Sequence, residues 1–203
     1  MPMQSFGQCL AYIDVAGTNY TTFTTAKSML GSATATAASA GVIQLPSNFW
    51  QQGTVLEIEW QAAVSWATGN TMIFTIVSGP TSNITIATSG TFKVTTTGGT
   101  TEPMYGKVIL RCNTIGSGTL ATVFASGFVA GRMIVPPGGT PGANYAAPSG
   151  ISCWSEATPA AGTGFDSTVV NNLDFFCTMG TSSASNGFQM IQYKVFNPNE
   201  AGY

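Results

Sequence analysis

The clearest pattern of apolar and polar positions lies in residues 54–66, TVLEIEWQAAVSW. Leu56, Ile58, Trp60, Ala62, Val64 and Trp66 share one parity, and Glu57, Glu59, Gln61 and Ser65 share the other. Side chains alternate between faces along a strand, so this run predicts a long β-strand with one greasy face and one wet face. A helix would scatter the tryptophans and glutamates around its circumference. Just upstream, LPSNFWQQG supplies a Pro-led turn, an aromatic plug (Phe49, Trp50) and a glycine that releases the chain into the strand.

The rest of the chain reads as further strands. CLAYIDV (9–15) and VIQLP (42–46) predict short ones. Between them lie a Thr-rich stretch of weak β character (20–30) and a small, polar connector or arm (31–41). TMIFTIVS (71–78), NITIA (83–87), TFKVTTT (91–97), GKVILRCN (106–113) and TLATVFASGFVAG (119–131) follow, separated by Gly, Ser and Pro turn signals. Val108, Leu110 and Cys112 are expected inward and Lys107 and Arg111 outward, while Gly127 suggests a bulge. Residues 132–150 contain adjacent prolines and paired glycines and predict a long irregular loop. ISCW (151–154) predicts a brief edge strand.

The last part, 167–180 and 187–198, reads as a hairpin. Its first limb places Val169, Leu173, Phe175 and Cys177 on one face. Strict alternation in its second limb places Ile191, Tyr193 and Val195 on one face and Phe188, Met190 and Phe196 on the other. Apolar residues on both faces predict one face in the core and the other against a neighbour.

No helical crossover is visible, so the sheets are expected to be antiparallel. The expected fold class is all-β, an antiparallel two-sheet sandwich of jelly-roll-like type. Residues 1–41 form an N-terminal strand and extended arm, and residues 42–203 form the sandwich domain with its long Pro/Gly loop at 132–150.

Composition sharpens the picture. Only 7% of residues are charged, against about 25% in ordinary globular domains. A surface built from Thr, Ser, Asn, Gln and Gly, with apolar residues left over, suits a protein packed against copies of itself or a large partner. Net charge is −2 with no basic run, which excludes nucleic acid as a partner. No apolar run approaches membrane length, so no membrane span is expected. None of the four cysteines forms a CxxC pair, and they read as free, buried small hydrophobes. The N-terminus lacks a basic n-region and a continuous apolar h-region, so no signal peptide and synthesis in a reducing cytoplasm are expected.

Candidate chemistry is sparse. The chain has no histidine, which removes the commonest general base and metal ligand. Glu57 and Glu59 share a strand face, where a solvated or interface-facing surface fits better than a pair of glycosidase acids facing across a cleft. Asp166, in GTGFDST, reads as an Asp turn rather than a calcium ligand, since no DxDxDG-like run surrounds it. Asp174 either pairs with Arg111 or Lys194 across a subunit contact or faces outward to solvent. Trp60 and Trp66 read as core, and Trp154, beside the loop, as a surface residue. The chain is read as a non-enzyme, with no catalytic residue, cofactor or metal assigned.

Several of these segments together resemble a group of tailed-bacteriophage virion proteins. They are LPSNFW, the Gly-Thr step into QQGTVLEIEWQAAVS, TMIFTIVSG, KVILRCNTIGSGT and the closing FDSTVVNNLDFFCTMGTSSASNGFQMIQYKVF. The resemblance covers roughly residues 40–130 and 165–197, and the loop at 132–150 departs from it. It implies a jelly-roll-like domain on the phage particle. The first expectation is a capsid decoration or cement protein, made in the host cytoplasm and located on the capsid surface. It would bind the major capsid protein and associate with itself as a homotrimer. The alternative is a tail-associated or receptor-binding protein with a glycan-binding surface. The candidate partner-contact residues are Asn144, Tyr145 and Trp154 near the loop, with Phe188, Met190 and Phe196 on the last strand.

Overall fold

A computed structural model of the chain describes residues 8–13, 16–17, 19–30, 43–79, 84–94, 99–131, 150–153, 155–156 and 164–198. Fourteen strands run through them, and no helix occurs among the described residues. They are β1 Gln8–Ile13, β2 Tyr20–Thr21, β3 Lys27–Ser28, β4 Ile43–Leu45, β5 Val55–Trp66, β6 Thr71–Ser78 and β7 Ile84–Thr88. Then come β8 Phe92–Lys93, β9 Gly99–Thr114, β10 Thr122–Gly131, β11 Gly150–Cys153, β12 Ser155–Glu156, β13 Asn171–Met179 and β14 Gly187–Asn197.

All pairings are antiparallel, and the strands form two sheets packed face to face as a sandwich. Sheet A runs β1-β14-β5-β9-β10-β11, with β2 also on β14. Sheet B runs β12-β7-β6-β13-β3, with β4 on β13 and β8 on β6. Within them, β1-β14-β5-β9 and β4-β13-β6-β7 are the two four-stranded halves of a jelly roll. Counted along the chain, these eight strands lie in the order 1-8-3-6 and 2-7-4-5. The remaining strands extend its edges.

The core sits between the sheets, and its centre is aromatic. Trp60 of β5 and Phe188 of β14 come from sheet A; Phe74 of β6 and Phe175 of β13 come from sheet B. Trp60 lies 5.0 Å from Phe74 and 5.3 Å from Phe175, and Phe74 lies 5.7 Å from Phe188 between ring centroids. Such contacts add about 0.5–1.5 kcal/mol each beyond the area they bury. β5 alternates as its sequence predicts, with Leu56, Ile58, Trp60, Ala62, Val64 and Trp66 all buried. Phe49 and Trp50 do form a plug, with Trp50 edge-on to Phe49 at 5.6 Å and to Phe165 at 5.7 Å.

Three sequence expectations are corrected. First, β13 and β14 are not a hairpin, because β13 belongs to sheet B and β14 to sheet A. Both strands carry large inward side chains, and facing each other across the sandwich buries both sets. Asn186 fixes the crossover, accepting from Ala67 N–H at 2.8 Å and donating to the Thr181 carbonyl at 2.5 Å. Second, β14 carries an irregularity between Met190 and Gln192 that leaves Ile191 outside the β5 register. One extra residue reverses parity. Phe188, Met190, Tyr193 and Val195 therefore all point inward, and Ile191 points out. Third, the ladder runs unbroken through Gly127, which pairs with Val108, and the irregularity lies at Thr122/Val123. Gly127 is required for close approach instead: its φ is 145° and a Cβ would fall 2.1 Å from the Lys107 carbonyl oxygen.

β9 also begins earlier than expected and includes Pro103. Proline in a central strand lacks a ladder donor. Pro103 pairs with Ala63 of β5, while pairing to β10 stops at Met104, so its missing N–H falls beyond the part of β9 that β10 pairs among the described residues.

Candidate interaction surface

Outward positions of sheet A form rungs of register partners. Tyr12, Lys194, Glu59, Lys107 and Phe128 make one rung across β1, β14, β5, β9 and β10. Phe196, Glu57, Ile109 and Ser126 make the next on one side, and Gln192, Gln61, Tyr105 and Ala130 the next on the other. Strand parity produces this face: each residue alternates with a core residue of the same strand.

Lys107 pairs with both glutamates of this face. The Lys107 ammonium donates to Glu57 Oε2 at 2.8 Å and to Glu59 Oε1 at 3.0 Å. Those two hydrogen bonds raise the Lys107 pKa to about 12. Lys194, the cross-strand neighbour of Glu59, lies over the Phe196 ring at 4.7 Å. Around this cluster Tyr12 is 54% exposed and Phe124 is 48% exposed, and the Tyr105 and Phe128 rings lie 5.7 Å apart. One end of the face dips into an open, mainly apolar groove of about 610 Å³ bordered by Gln61, Ala63, Tyr105, Ala130 and Ile191. The outer face of sheet B differs: Thr71, Ile73, Thr75, Thr88 and Thr178 are half-buried and uncharged, with exposed Lys93 beside Thr71.

Of the residues singled out by sequence, Asn144, Tyr145 and Trp154 lie outside the described residues, as does nearly all of the 132–150 loop. Phe188 and Met190 are 0% and 3% exposed and are spent on the chain's own core, a consequence of the β14 irregularity. Phe196 does lie on the outer face of sheet A. Tyr12, Tyr105, Phe124 and Phe128 were not singled out, although Tyr105 shares the parity of Lys107 and Arg111, which were placed outward.

Asp166 forms the expected turn. Its Oδ1 accepts from Thr168 N–H at 2.8 Å, and its Oδ2 accepts from Gly118 N–H at 2.8 Å. Hydrogen bonds, led by that from the Thr168 hydroxyl, hold its carboxyl below the usual range. Cys112 and Cys177 are free and buried, and burial pushes the Cys112 thiol up to about 11 and the Cys177 thiol higher still. Cys9 is free and exposed, contrary to the expectation of burial. Asp174 has the outward parity of sheet B but is covered there by the segment that carries Ser28, so it is buried and not solvent-facing, and none of the ion pairs among the described residues joins it to Arg111 or Lys194. Among the described residues no group of three or more Cys, Asp or Glu side chains is placed to hold a metal ion.

No protein-family model matches the chain, and no curated protein is similar to it. Among solved structures, the CBM2 module of the evolved Dit of Lactobacillus casei BL23 phage J-1 aligns over 97% of this chain and 98% of that one. Identity is 9% and the TM-score 0.33, too low to bear on what this chain does.

Proposed function

We propose that the chain is a structural protein of a bacteriophage particle, most specifically a capsid decoration or cement protein. The observation that carries this reading is the exterior of the sandwich. Sheet B presents a threonine-rich face, and sheet A presents aromatic residues around Lys107, Glu57 and Glu59, which are paired with one another. Burying unpaired charges is costly, whereas a pre-neutralised cluster ringed by aromatic rings is cheaper to cover. Its action would be surface burial: contacts with the major capsid protein and with copies of itself, as a homotrimer, that brace the shell. The phage-protein resemblance of the sequence supports the same reading.

A second reading is favoured by the groove on sheet A. An open trough lined by Tyr105 and Gln61 among small apolar residues suits a sugar ring, which offers an apolar face and a hydroxyl rim. On that reading the chain is tail-associated and binds a host glycan.

Co-sedimentation separates the two. Purified chain mixed with expanded empty heads, and separately with tails, is expected to bind heads saturably. Binding to tails alone, together with capture on a host-glycan array, would establish the second reading and refute the first.

A further inference from the structure

Asp174 lies in β13 with 0% exposure. Its Oδ1 accepts two hydrogen bonds, from the Ser28 hydroxyl at 2.7 Å and from Phe175 N–H at 2.7 Å. Its Oδ2 is buried without a hydrogen-bond partner. Among the described residues the ion pairs are those of Lys107, and none involves Asp174. The groups that face it are Ser28 of β3, its register partner Val77 of β6, and Tyr20 and Tyr193, whose hydroxyls feel its charge from β2 and β14. All are neutral near pH 7. An ionised carboxylate here would have neutral donors on one oxygen and none on the other, too little to offset its desolvation.

The site is also a seam. Ser28 belongs to the segment 19–30, which lies along the sandwich edge and buries Tyr20, Phe23, Met29 and Leu30. Two short ladders hold that segment, β2 on β14 and β3 on β13, with Met29 N–H donating to the Phe175 carbonyl at 2.7 Å. The Ser28–Asp174 hydrogen bond is the side-chain tie between segment and body at this point.

We propose that Asp174 is a proton-operated latch: its neutral carboxyl holds residues 19–30 against the sandwich edge, and its ionisation loosens them while the two sheets stay folded. Burial raises the carboxyl from 3.8 to about 7 in the closed form. Lifting the segment exposes the group to water and returns it towards its ordinary value. The closed form thus holds the proton more tightly than the open one. Opening becomes easier as pH rises from about 4 to about 7 and levels off above that.

The test is hydrogen exchange of the full chain across pH 4 to 8, corrected for intrinsic exchange, with β5 amides as internal reference. In the wild type the opening constant of residues 19–30 should rise roughly 500-fold across the window, the ratio set by a carboxyl at about 7 when closed and 3.8 when open. In Asp174→Asn, which keeps an Oδ1 acceptor for Ser28 and Phe175, it should stay flat. A wild-type profile that does not change with pH, a variant that keeps the wild-type slope, or β5 loosening in step with 19–30 would each overturn the proposal. If Asp174→Asn fails to fold, the wild-type carboxyl ¹³C titration decides. A midpoint near 7 supports the latch, and an ordinary carboxylate midpoint overturns it.

Discussion

The indole of Trp60 lies directly on the backbone of Gly106, its register partner across the β5–β9 ladder. A Cβ at position 106 would fall 2.2 Å from Trp60 Cε2. The missing side chain is what lets the largest core residue lie flat against sheet A and still reach Phe74 and Phe175 on sheet B. Gly106→Ala should therefore destabilise the fold by about 2–3 kcal/mol through overpacking. Urea unfolding followed by tryptophan fluorescence measures it. Adding Trp60→Phe should recover part of that loss, so the double variant will be less destabilised than the two single effects added together. Strict additivity would show that the ring and the glycine do not share the space.

The parity reversal in β14 makes a prediction that separates adjacent residues. Met190 is 3% exposed and Ile191 is 36% exposed. Met190→Asp should cost more than about 3 kcal/mol by burying a charge without a partner. Ile191→Asp should stay within about 1 kcal/mol. Strict alternation places Ile191 and Tyr193 on one face and predicts similar costs for them, whereas here Tyr193, 4% exposed, should resist Asp as Met190 does and Ile191 should not, so thermal melts of Ile191→Asp and Tyr193→Asp distinguish the two registers.

Lys107 holds Glu57 and Glu59 side by side, with 26% of its side chain exposed and 29% and 40% of theirs. Replacing it by Met leaves two carboxylates on one strand face without their cation. After allowance for solvent screening the loss should be about 0.5–1 kcal/mol, and it should shrink in high salt. The folded-state pKa of Lys107 is raised from 10.5 to about 12. Its contribution is therefore fully present below about pH 10 and is lost as pH rises through 12. The wild-type minus Lys107→Met stability difference, measured by urea unfolding from pH 8 upward, should follow that course.

Much of the architecture was legible because alternation is a strong signal where one face of a strand is buried. β5 and β6 were readable from parity and turn residues alone, and with no helical crossover they pointed to an antiparallel sandwich. What failed did so for local reasons. Inserting one residue at Ile191 moves Phe188 and Met190 to the core without altering composition, and nothing in GFQMIQYKVF marks the irregularity. The pairing of β13 with β6 rather than β14 depends on contacts between sheets, which adjacency in sequence does not reveal. The strand expected from Gly106 begins at Gly99 and includes Pro103, where pairing to β10 has already stopped at Met104 among the described residues.

The candidate surface was legible only in part. The outward parity of Glu57, Glu59, Lys107 and Arg111 was plain, but their assembly with Tyr12, Lys194 and Phe196 needs the order β1-β14-β5-β9, which joins strands distant in sequence. Asp174 misled for a related reason. Its parity does place it on the outer side of sheet B, and the N-terminal segment then covers that position through Ser28.

On the proposed reading, the outer face of sheet A is covered by companions in the particle. Hydroxyl-radical footprinting of the isolated chain and of the assembled particle tests it on Tyr12, Phe124 and Phe128. The account predicts ready oxidation of all three in the free chain and strong protection in the particle, with buried Trp60 unreactive in both. Equal oxidation in the two states, or a chain that stays a soluble monomer and enters no particle, would contradict it.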